Sequence, residues 1–137
     1  MTKQFQISLP PYSRGAHIIT QHIINAISNE LPEQGILNVF IQHTSAGITI
    51  NENADPSVRV DFNSFFRKLV PENMDYYTHT MEGSDDMPAH ILSSIIGSSI
   101  NIPISNYELA LGMWQGIYLC EFRNNGGRRN FVITITY

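Results

Sequence analysis

Apolar and polar residues alternate over KQFQISL, residues 3–9, which predicts a strand with one buried face. Isoleucines then recur at every fourth position from Ile19 to Ile27, which is the spacing of one helix face. Ser13 is a suitable N-cap, and a proline and a glycine follow the last of these isoleucines. The pattern therefore predicts a helix over 14–29.

Two runs rich in β-branched residues, ILNVFIQH and GITINEN, predict a pair of strands that meet at a tight connection or a bulge. Asp55 and Pro56 then mark the start of a second helix, because the acid can cap free N–H groups and proline is tolerated at the first helical position. Apolar residues at helical spacing predict that this helix faces the core; they are Val58, Phe62, Phe65, Phe66 and Leu69.

A third helix is predicted from Pro88 to Gly97, with His90 in its first turn. Three strand-like runs follow: SINIPIS, WQGIYLCEF and FVITITY, of which the last two are predicted to form a pair joined through RNNGGRR. Strands and helices do not alternate regularly, so parallel crossovers are not required. We expect one domain over residues 1–137, with an α+β fold: a compact antiparallel β-sandwich with about three helices.

Composition narrows the classes of function. The net charge of −4 and the pI near 5.6 argue against a nucleic-acid partner, which would need a basic face. The sequence lacks both a membrane-spanning apolar run and the layout of a signal peptide, so we expect a cytoplasmic protein without membrane attachment. The single cysteine, Cys120, lies in an apolar run and is expected to be a buried small residue.

Candidate chemistry concentrates in THTMEGSDDMPAH, residues 78–90. This segment contains His79, His90 and three acids without a lysine or arginine. Neutral imidazole suits divalent transition metals, and a cation would relieve the repulsion between the acids. The alternatives are a solvated acidic loop and a helix capped by one of the two aspartates before Pro88.

A second polar group, NENADP, follows a predicted strand at residues 51–56. Its amides and acids can hydrogen-bond a heterocycle, or they can simply form a turn and cap a helix. The sequence contains no P-loop, nucleophile elbow or dinucleotide fingerprint. Serine or cysteine nucleophilic catalysis is therefore not predicted.

Three long blocks resemble the YjbQ-like family, whose members are described as secondary thiamine-phosphate synthases. The blocks are QHTSAGITINENADPSVRVDF, HTMEGSDDMPAHILSSIIGSS and LALGMWQGIYLCEFR. The resemblance covers most of the chain. It implies a compact α+β sandwich, a homotrimer, and weak thiamine-phosphate synthase activity that is secondary to another role.

In that reaction an aminopyrimidine diphosphate loses pyrophosphate as its methylene carbon joins the nitrogen of a thiazole phosphate. The resemblance implies a small phosphorylated substrate and a divalent metal ion, zinc or magnesium, because the departing diphosphate needs charge stabilisation. The metal ligands are expected to be His43, His79 and His90, which lie in the family-like blocks.

The resemblance also suggests roles for other side chains. Glu82, Asp86 and Arg123 are expected to act in catalysis, with the guanidinium gripping phosphate. The ring of the substrate is expected to be bound by four residues: Asn51, Asn53, Trp114 and Gln115. Two other functions use the same features: a metal-dependent hydrolase and a non-catalytic trimeric module that binds a metabolite or a protein partner.

Overall fold

The computed structural model describes residues 1–137, except for the side chain of Ser28. Eight strands and three α-helices follow one another along the chain, with a 3-10 turn at Ser28–Glu30. Their bounds are β1 Thr2–Leu9, β2 Gly15–Ile18, α1 Thr20–Ile27, β3 Gln34–Ile41, β4 Ala46–Glu52, α2 Pro56–Leu69, α3 Asp86–Ile96, β5 Ser99–Ser105, β6 Glu108–Leu109, β7 Gln115–Glu121 and β8 Arg129–Thr136.

The strands form two antiparallel sheets, which confirms the predicted α+β class. One sheet has five strands in the order β1-β8-β3-β5-β6, and the other has three in the order β2-β7-β4. Their facing side chains and α1 form one hydrophobic core, which includes Leu37, Ile48, Ile117 and Phe131. Helices α2 and α3 cover the other face of the three-stranded sheet in a second core. The layers are thus sheet, sheet and helices.

The N-terminal helix is shorter than predicted. Its isoleucine spacing is right, since Ile23 and Ile27 are buried, but α1 begins at Thr20. The preceding residues form β2, an edge strand that pairs with β7 in the register Gly15↔Glu121 to Ile18↔Tyr118. Gly15 has a φ of 143°, which is not a helical conformation. Pairing with β7 therefore outweighs the local preference for helix.

In two of the predicted strand pairs, the two strands lie in different sheets, and the segment between them connects the sheets. Strand β3 lies in the five-stranded sheet and β4 in the three-stranded sheet, so residues 42–45 cross from one to the other. Residues 122–128 make the reverse crossing from β7 to β8. The 42–45 crossing lies against the start of β8, where the Gln42 amide donates to the Asn130 carbonyl at 3.0 Å. The candidate site lies at this edge.

Helix α2 begins where the sequence predicts it. Asp55 is the N-cap, and its side chain accepts from the Ser57 amide at 2.9 Å. The predicted core stripe is only half right, because Phe62 and Phe66 pack on the second core whereas Phe65 is 60% exposed. None of the residues of α2, all of which the structure describes, is fully buried. The helix therefore keeps an apolar flank in solvent.

Helix α3 begins at Asp86, two residues before the predicted start at Pro88, so His90 follows the first turn. Gly97 ends the helix as predicted, with a φ of 104°. Strand β5 also follows its pattern, with Ile102 and Ile104 buried. In the part of the chain that the structure describes, no helix is long and apolar enough to cross a membrane.

Candidate metal centre

The side chain of Asp86 is the centre of the candidate site. It is only 1% exposed. Its Oδ2 lies 2.7 Å from Nε2 of His79 and 3.2 Å from Nε2 of His90. Its other oxygen, Oδ1, accepts from Nη1 of Arg123 at 2.6 Å. One buried carboxylate thus separates two imidazoles from a guanidinium.

Two elements place the imidazoles around Asp86. His90 is four residues further along α3, so both side chains lie on the same face of the helix. His79 belongs to the connection between α2 and α3, and its ring centroid is 5.2 Å from that of His90. One ligand atom from each of the three residues lies within 4.8 Å of the others. Geometrically, the group matches three ligands of one metal ion.

The second nitrogen of His90 determines what its Nε2 can do. Nδ1 lies 2.9 Å from the Thr44 carbonyl oxygen, which only accepts, so Nδ1 carries a proton. Nε2 of a neutral His90 would then present a lone pair to the carboxylate oxygen of Asp86. Two acceptors at 3.2 Å repel unless a cation, either a proton or a metal ion, lies between them. The Thr44 carbonyl thereby leaves the Nε2 side of the ring facing Asp86.

Electrostatics keep Asp86 in its anionic form. Burial alone would raise its pKa, but the hydrogen bond with His79 and the charges of His90 and Arg123 together lower the pKa below its ordinary value. An anionic carboxylate and imidazole nitrogens are the donor set that zinc prefers, whereas magnesium prefers oxygen ligands alone. The chemistry of this centre therefore favours zinc over magnesium.

The two distances from Asp86 to the imidazoles are close to those that zinc needs. Bonds of about 2.0–2.1 Å in a tetrahedron separate the ligand atoms by about 3.3 Å. The His90–Asp86 distance of 3.2 Å already matches this value, while the His79–Asp86 distance of 2.7 Å is shorter. The side chain of His79 is 47% exposed, so it can move outwards by the roughly 0.6 Å that this geometry requires.

The predicted catalytic residue Arg123 lies against Asp86, but its guanidinium is already bonded within the protein. Its Nε donates to Oδ2 of Asp85 at 3.0 Å, and Nη2 donates to the Glu82 carbonyl at 2.9 Å. Burial alone would lower the pKa of Arg123, but the bonds and charges of Asp85 and Asp86 raise it. Arg123 therefore holds the acidic loop, and Glu82 contributes its main chain, since its side chain points to solvent.

His43 lies near this centre but outside its ligand group. Among the described residues, the ligand atoms that meet within 4.8 Å come from His79, Asp86 and His90. Nε2 of His43 instead accepts a hydrogen bond from the Asn130 amide at 2.8 Å, so its lone pair is not available to a metal. Of the three predicted histidine ligands, the structure brings two together with Asp86.

The four predicted ring-binding residues lie at the opposite end of the three-stranded sheet. Strands β4 and β7 pair from Ala46↔Glu121, beside the candidate centre, to Glu52↔Gln115. Six residues of strand separate the two ends by about 20 Å. Asn53 donates to the carbonyls of Met113 and Gln115, and Oε1 of Gln115 accepts from Gly112. Asn51 and Trp114 are exposed beside them.

A buried ion pair supports the edge on which the centre lies. Arg129 donates to both carboxylate oxygens of Glu121, at 2.8 and 2.6 Å, and to Oγ of Ser45 at 3.0 Å. Both members of the pair are almost completely buried. The pair ties the start of β8 to the end of β7 and to the 42–45 crossing, which also carries the Thr44 carbonyl.

Sequence reasoning did not identify several supporting groups. The sequence is compatible with Asp85 as a helix cap or as a ligand, whereas in the structure its carboxylate accepts from Arg123 and from the Asn124 amide. Glu121 and Arg129 are separated by eight residues, and the local pattern gives no sign of their pairing. The role of the Thr44 carbonyl cannot be predicted from the sequence, because every residue has a main-chain carbonyl. Cys120 is buried as predicted, and burial raises its pKa to about 12, which excludes it as a nucleophile at neutral pH.

Two cavities flank the candidate centre. One, of about 120 Å³, is lined by His79 and by Met74, Tyr77, Gly83 and Met87, among others. The other, of about 300 Å³, lies beside His43 and His90. A ligand in either cavity would approach an imidazole of the centre. The arrangement defines an α+β protein with a candidate two-histidine, one-carboxylate metal centre that is accessible to small molecules.

Comparison with known proteins gives the family. The family model described as UPF0047 protein YjbQ-like matches residues 3–137, and the chain belongs to this family. The UPF0047 protein YjbQ of Escherichia coli O157:H7 is 43% identical over 137 residues, covering 98% of each chain. The comparisons thus confirm the resemblance seen in the three sequence blocks.

Solved structures agree with the fold. An uncharacterised YjbQ/UPF0047 protein from Clostridium acetobutylicum is 39% identical, with a TM-score of 0.83 and coverage of 96% of this chain and 98% of the other. A protein of unknown function from Sulfolobus solfataricus is 19% identical and has a TM-score of 0.86, with coverage of 98% and 96%. The second comparison supports the fold alone.

Proposed function

We propose that this protein is a metal-dependent enzyme that acts on a small phosphorylated compound, with zinc held by His79, Asp86 and His90. The observation that carries the proposal is the orientation of His90, whose Nδ1–H is bonded to a carbonyl while Nε2 faces a carboxylate oxygen. Three protein ligands with room for a fourth are typical of catalytic rather than structural zinc. The side chain of His79 is partly exposed, which leaves space for a fourth ligand.

The metal would bind phosphate oxygens and stabilise their negative charge. The reaction implied by the family resemblance is thiamine phosphate synthesis. The thiazole nitrogen donates its electron pair to the methylene carbon of the aminopyrimidine, and pyrophosphate leaves with the electron pair of the broken C–O bond. Asp86 positions the metal, and Arg123 holds Asp86 in place. No nucleophile from the protein is required.

Hydrolysis of a phosphate ester is the second candidate. The open position that accepts a phosphate oxygen can instead hold a water molecule whose pKa the metal lowers. The ring-binding residues proposed for synthesis lie about 20 Å from the centre within one chain, given the rise of about 3.3 Å per strand residue. Hydrolysis does not need them. Product analysis separates the two reactions, because synthesis yields thiamine phosphate whereas hydrolysis yields inorganic phosphate.

We also propose the homotrimer implied by the family resemblance. Exposed apolar side chains on α2 and on the outer face of β3 are surfaces that association would bury: Val60, Phe65 and Leu69, with Ile36 and Phe40. Light scattering should give three times the subunit mass. A subunit mass at working concentration would contradict the trimer.

Metal titration of chelator-treated protein tests the proposed centre. We expect one zinc ion per chain, weaker binding of magnesium, and a loss of affinity of more than about 100-fold in His90→Ala, since a direct ligand costs more than a supporting residue. Iron(II) belongs in the same titration, because two histidines and one carboxylate also bind it. Synthase and phosphatase assays before and after chelation then test catalysis.

His17→Ala is the matched control for the titration. His17 lies on β2, away from the candidate ligands, and its Nε2 is 2.6 Å from the Ser13 carbonyl oxygen. Zinc affinity should remain at the wild-type value in this variant. Equal affinities in wild type, His90→Ala and His17→Ala would refute the centre. Zinc binding without any change of activity on chelation would instead favour the non-catalytic binding module.

A further inference from the structure

The 42–45 crossing places His43 against the first residues of β8. Its Nε2 accepts a hydrogen bond from the Asn130 amide at 2.8 Å. A main-chain amide only donates, so Nε2 carries the lone pair and the ring proton lies on Nδ1. Among the described residues, no acceptor contacts that Nδ1. The Nε2 edge of the ring is thus fixed by the backbone, and the Nδ1–H remains available as a donor.

The surroundings of His43 favour the neutral ring. Burial lowers its pKa, the nearby charge of Arg129 lowers it further, and Glu121 opposes this only in part. At neutral pH the ring is therefore an uncharged donor with a fixed tautomer. Such an imidazole polarises an oxygen without giving up its proton.

His43 and His90 line the same cavity of about 300 Å³. Four hydroxyl side chains share this wall: Ser93 donates to the Ala46 carbonyl at 2.8 Å and Ser94 to the His90 carbonyl at 3.1 Å, whereas those of Thr44 and Ser98 can rotate towards a ligand. Because the backbone holds the ring of His43 and a hydroxyl rotates freely, the Nδ1–H of His43 is the side-chain donor of fixed orientation in this wall. His90, on the other side, belongs to the proposed metal centre.

We propose that His43 is a substrate-binding residue, whose Nδ1–H donates a hydrogen bond to a phosphoryl oxygen of a ligand held by the metal at His79, Asp86 and His90. The inference rests on the proposed function and assigns the cavity between His43 and His90 to the phosphoryl group. A metal and a neutral donor on opposite sides of one phosphoryl group fix its orientation. His43 is thereby a ligand of the substrate and not of the metal.

Binding of inorganic phosphate to zinc-loaded protein, freed of excess zinc, tests this assignment by calorimetry. His43→Phe keeps a flat ring but removes the donor, so phosphate should bind about tenfold more weakly while zinc affinity stays within about twofold of wild type. His43→Asn keeps a neutral N–H near the position of Nδ1 and should restore most of the phosphate affinity. His22→Phe, an exposed residue on α1 bonded to Tyr12, is the control and should change neither.

The outcomes separate this inference from the proposed function. Failure of wild-type protein to bind zinc would overturn both. Normal zinc binding with wild-type phosphate affinity in His43→Phe would overturn only the role of His43. A loss of zinc affinity in His43→Phe comparable to that in His90→Ala would make His43 a metal ligand and would also overturn the inference. Nitrogen NMR of His43 should show Nδ1 protonated and Nε2 unprotonated, and the opposite tautomer would refute it.

Discussion

Replacement of Arg123 by lysine tests how the protein supports its candidate centre. The guanidinium makes three side-chain hydrogen bonds: to Asp85 at 3.0 Å, to Asp86 at 2.6 Å and to the Glu82 carbonyl at 2.9 Å. A lysine ammonium is a compact point charge that cannot span all three acceptors. We therefore expect Arg123→Lys to keep a contact with Asp85 and to lose the bonds to Asp86 and to the Glu82 carbonyl.

The cost follows from the strength of the lost bonds. A hydrogen bond to a charged group contributes about 1.5–3 kcal/mol. The side chain of Arg123 is 22% exposed, so water can replace part of the interaction and the lower value applies. Two lost bonds then reduce the free energy of unfolding by about 3 kcal/mol. Because Asp86 also loses its support at Oδ1, zinc affinity should fall about 10–100-fold.

Urea unfolding followed by circular dichroism measures the first effect, and zinc titration measures the second. Arg128→Lys is the matched control, because Arg128 is exposed and its guanidinium bonds to Ser8, through Oγ at 3.0 Å and the carbonyl at 2.9 Å. We expect that variant to unfold within about 0.5 kcal/mol of wild type. If Arg123→Lys matched Arg128→Lys in both assays, the supporting role of Arg123 would be refuted.

Two further predictions concern the same edge of the molecule. A Cβ added at Gly126 would lie 2.7 Å from Nη2 of Arg129 in the buried ion pair, so Gly126→Ala should lower the free energy of unfolding by about 3 kcal/mol. Gly112→Ala is the control, because its added Cβ would meet a flexible side chain at 3.3 Å, and it should change the free energy of unfolding little in the same urea assay. The pKa values of Asp85 and Asp86 are lowered in the folded protein, so their contribution to stability is present above about pH 4 and is lost as the pH falls through their folded-state values. The slope of unfolding free energy between pH 5 and pH 2 should therefore be steeper in wild type than in Asp85→Asn; equal slopes would contradict this linkage.

Local sequence signals predicted most elements but not their pairing. Alternation over residues 3–9 gives β1, and the Asp55–Pro56 signal gives the start of α2. Local signals predict helix at Gly15, because a short edge strand that pairs with a distant partner has no local signature. It also paired β7 with β8, although they belong to different sheets. Strand partners depend on contacts that are distant in sequence, and these are what a local pattern omits.

The candidate site was likewise predictable only in the part that is contiguous in sequence. The segment 78–90 is recognisable from its histidines and its unneutralised acids, and it supplies His79, Asp86 and His90. The neutralising charge comes from Arg123, 37 residues beyond Asp86, and only the folded chain brings it close. Resemblance grouped His43 with the other histidines, but it carries no information about ring tautomers. A hydrogen bond from one backbone amide fixes the tautomer of His43 and distinguishes this residue from the two candidate histidine ligands.

Strand β7 has side chains in both hydrophobic cores. Ile117 and Leu119 pack in the core between the sheets, whereas Tyr118 and Cys120 pack beneath the helices. The strand is also hydrogen-bonded to a neighbour on each side, β2 and β4. The amides of β7 can exchange with deuterium only when both cores open together, so they should report the global free energy of unfolding. Zinc bound beside the end of this strand would then slow exchange throughout the molecule and not only at its ligands.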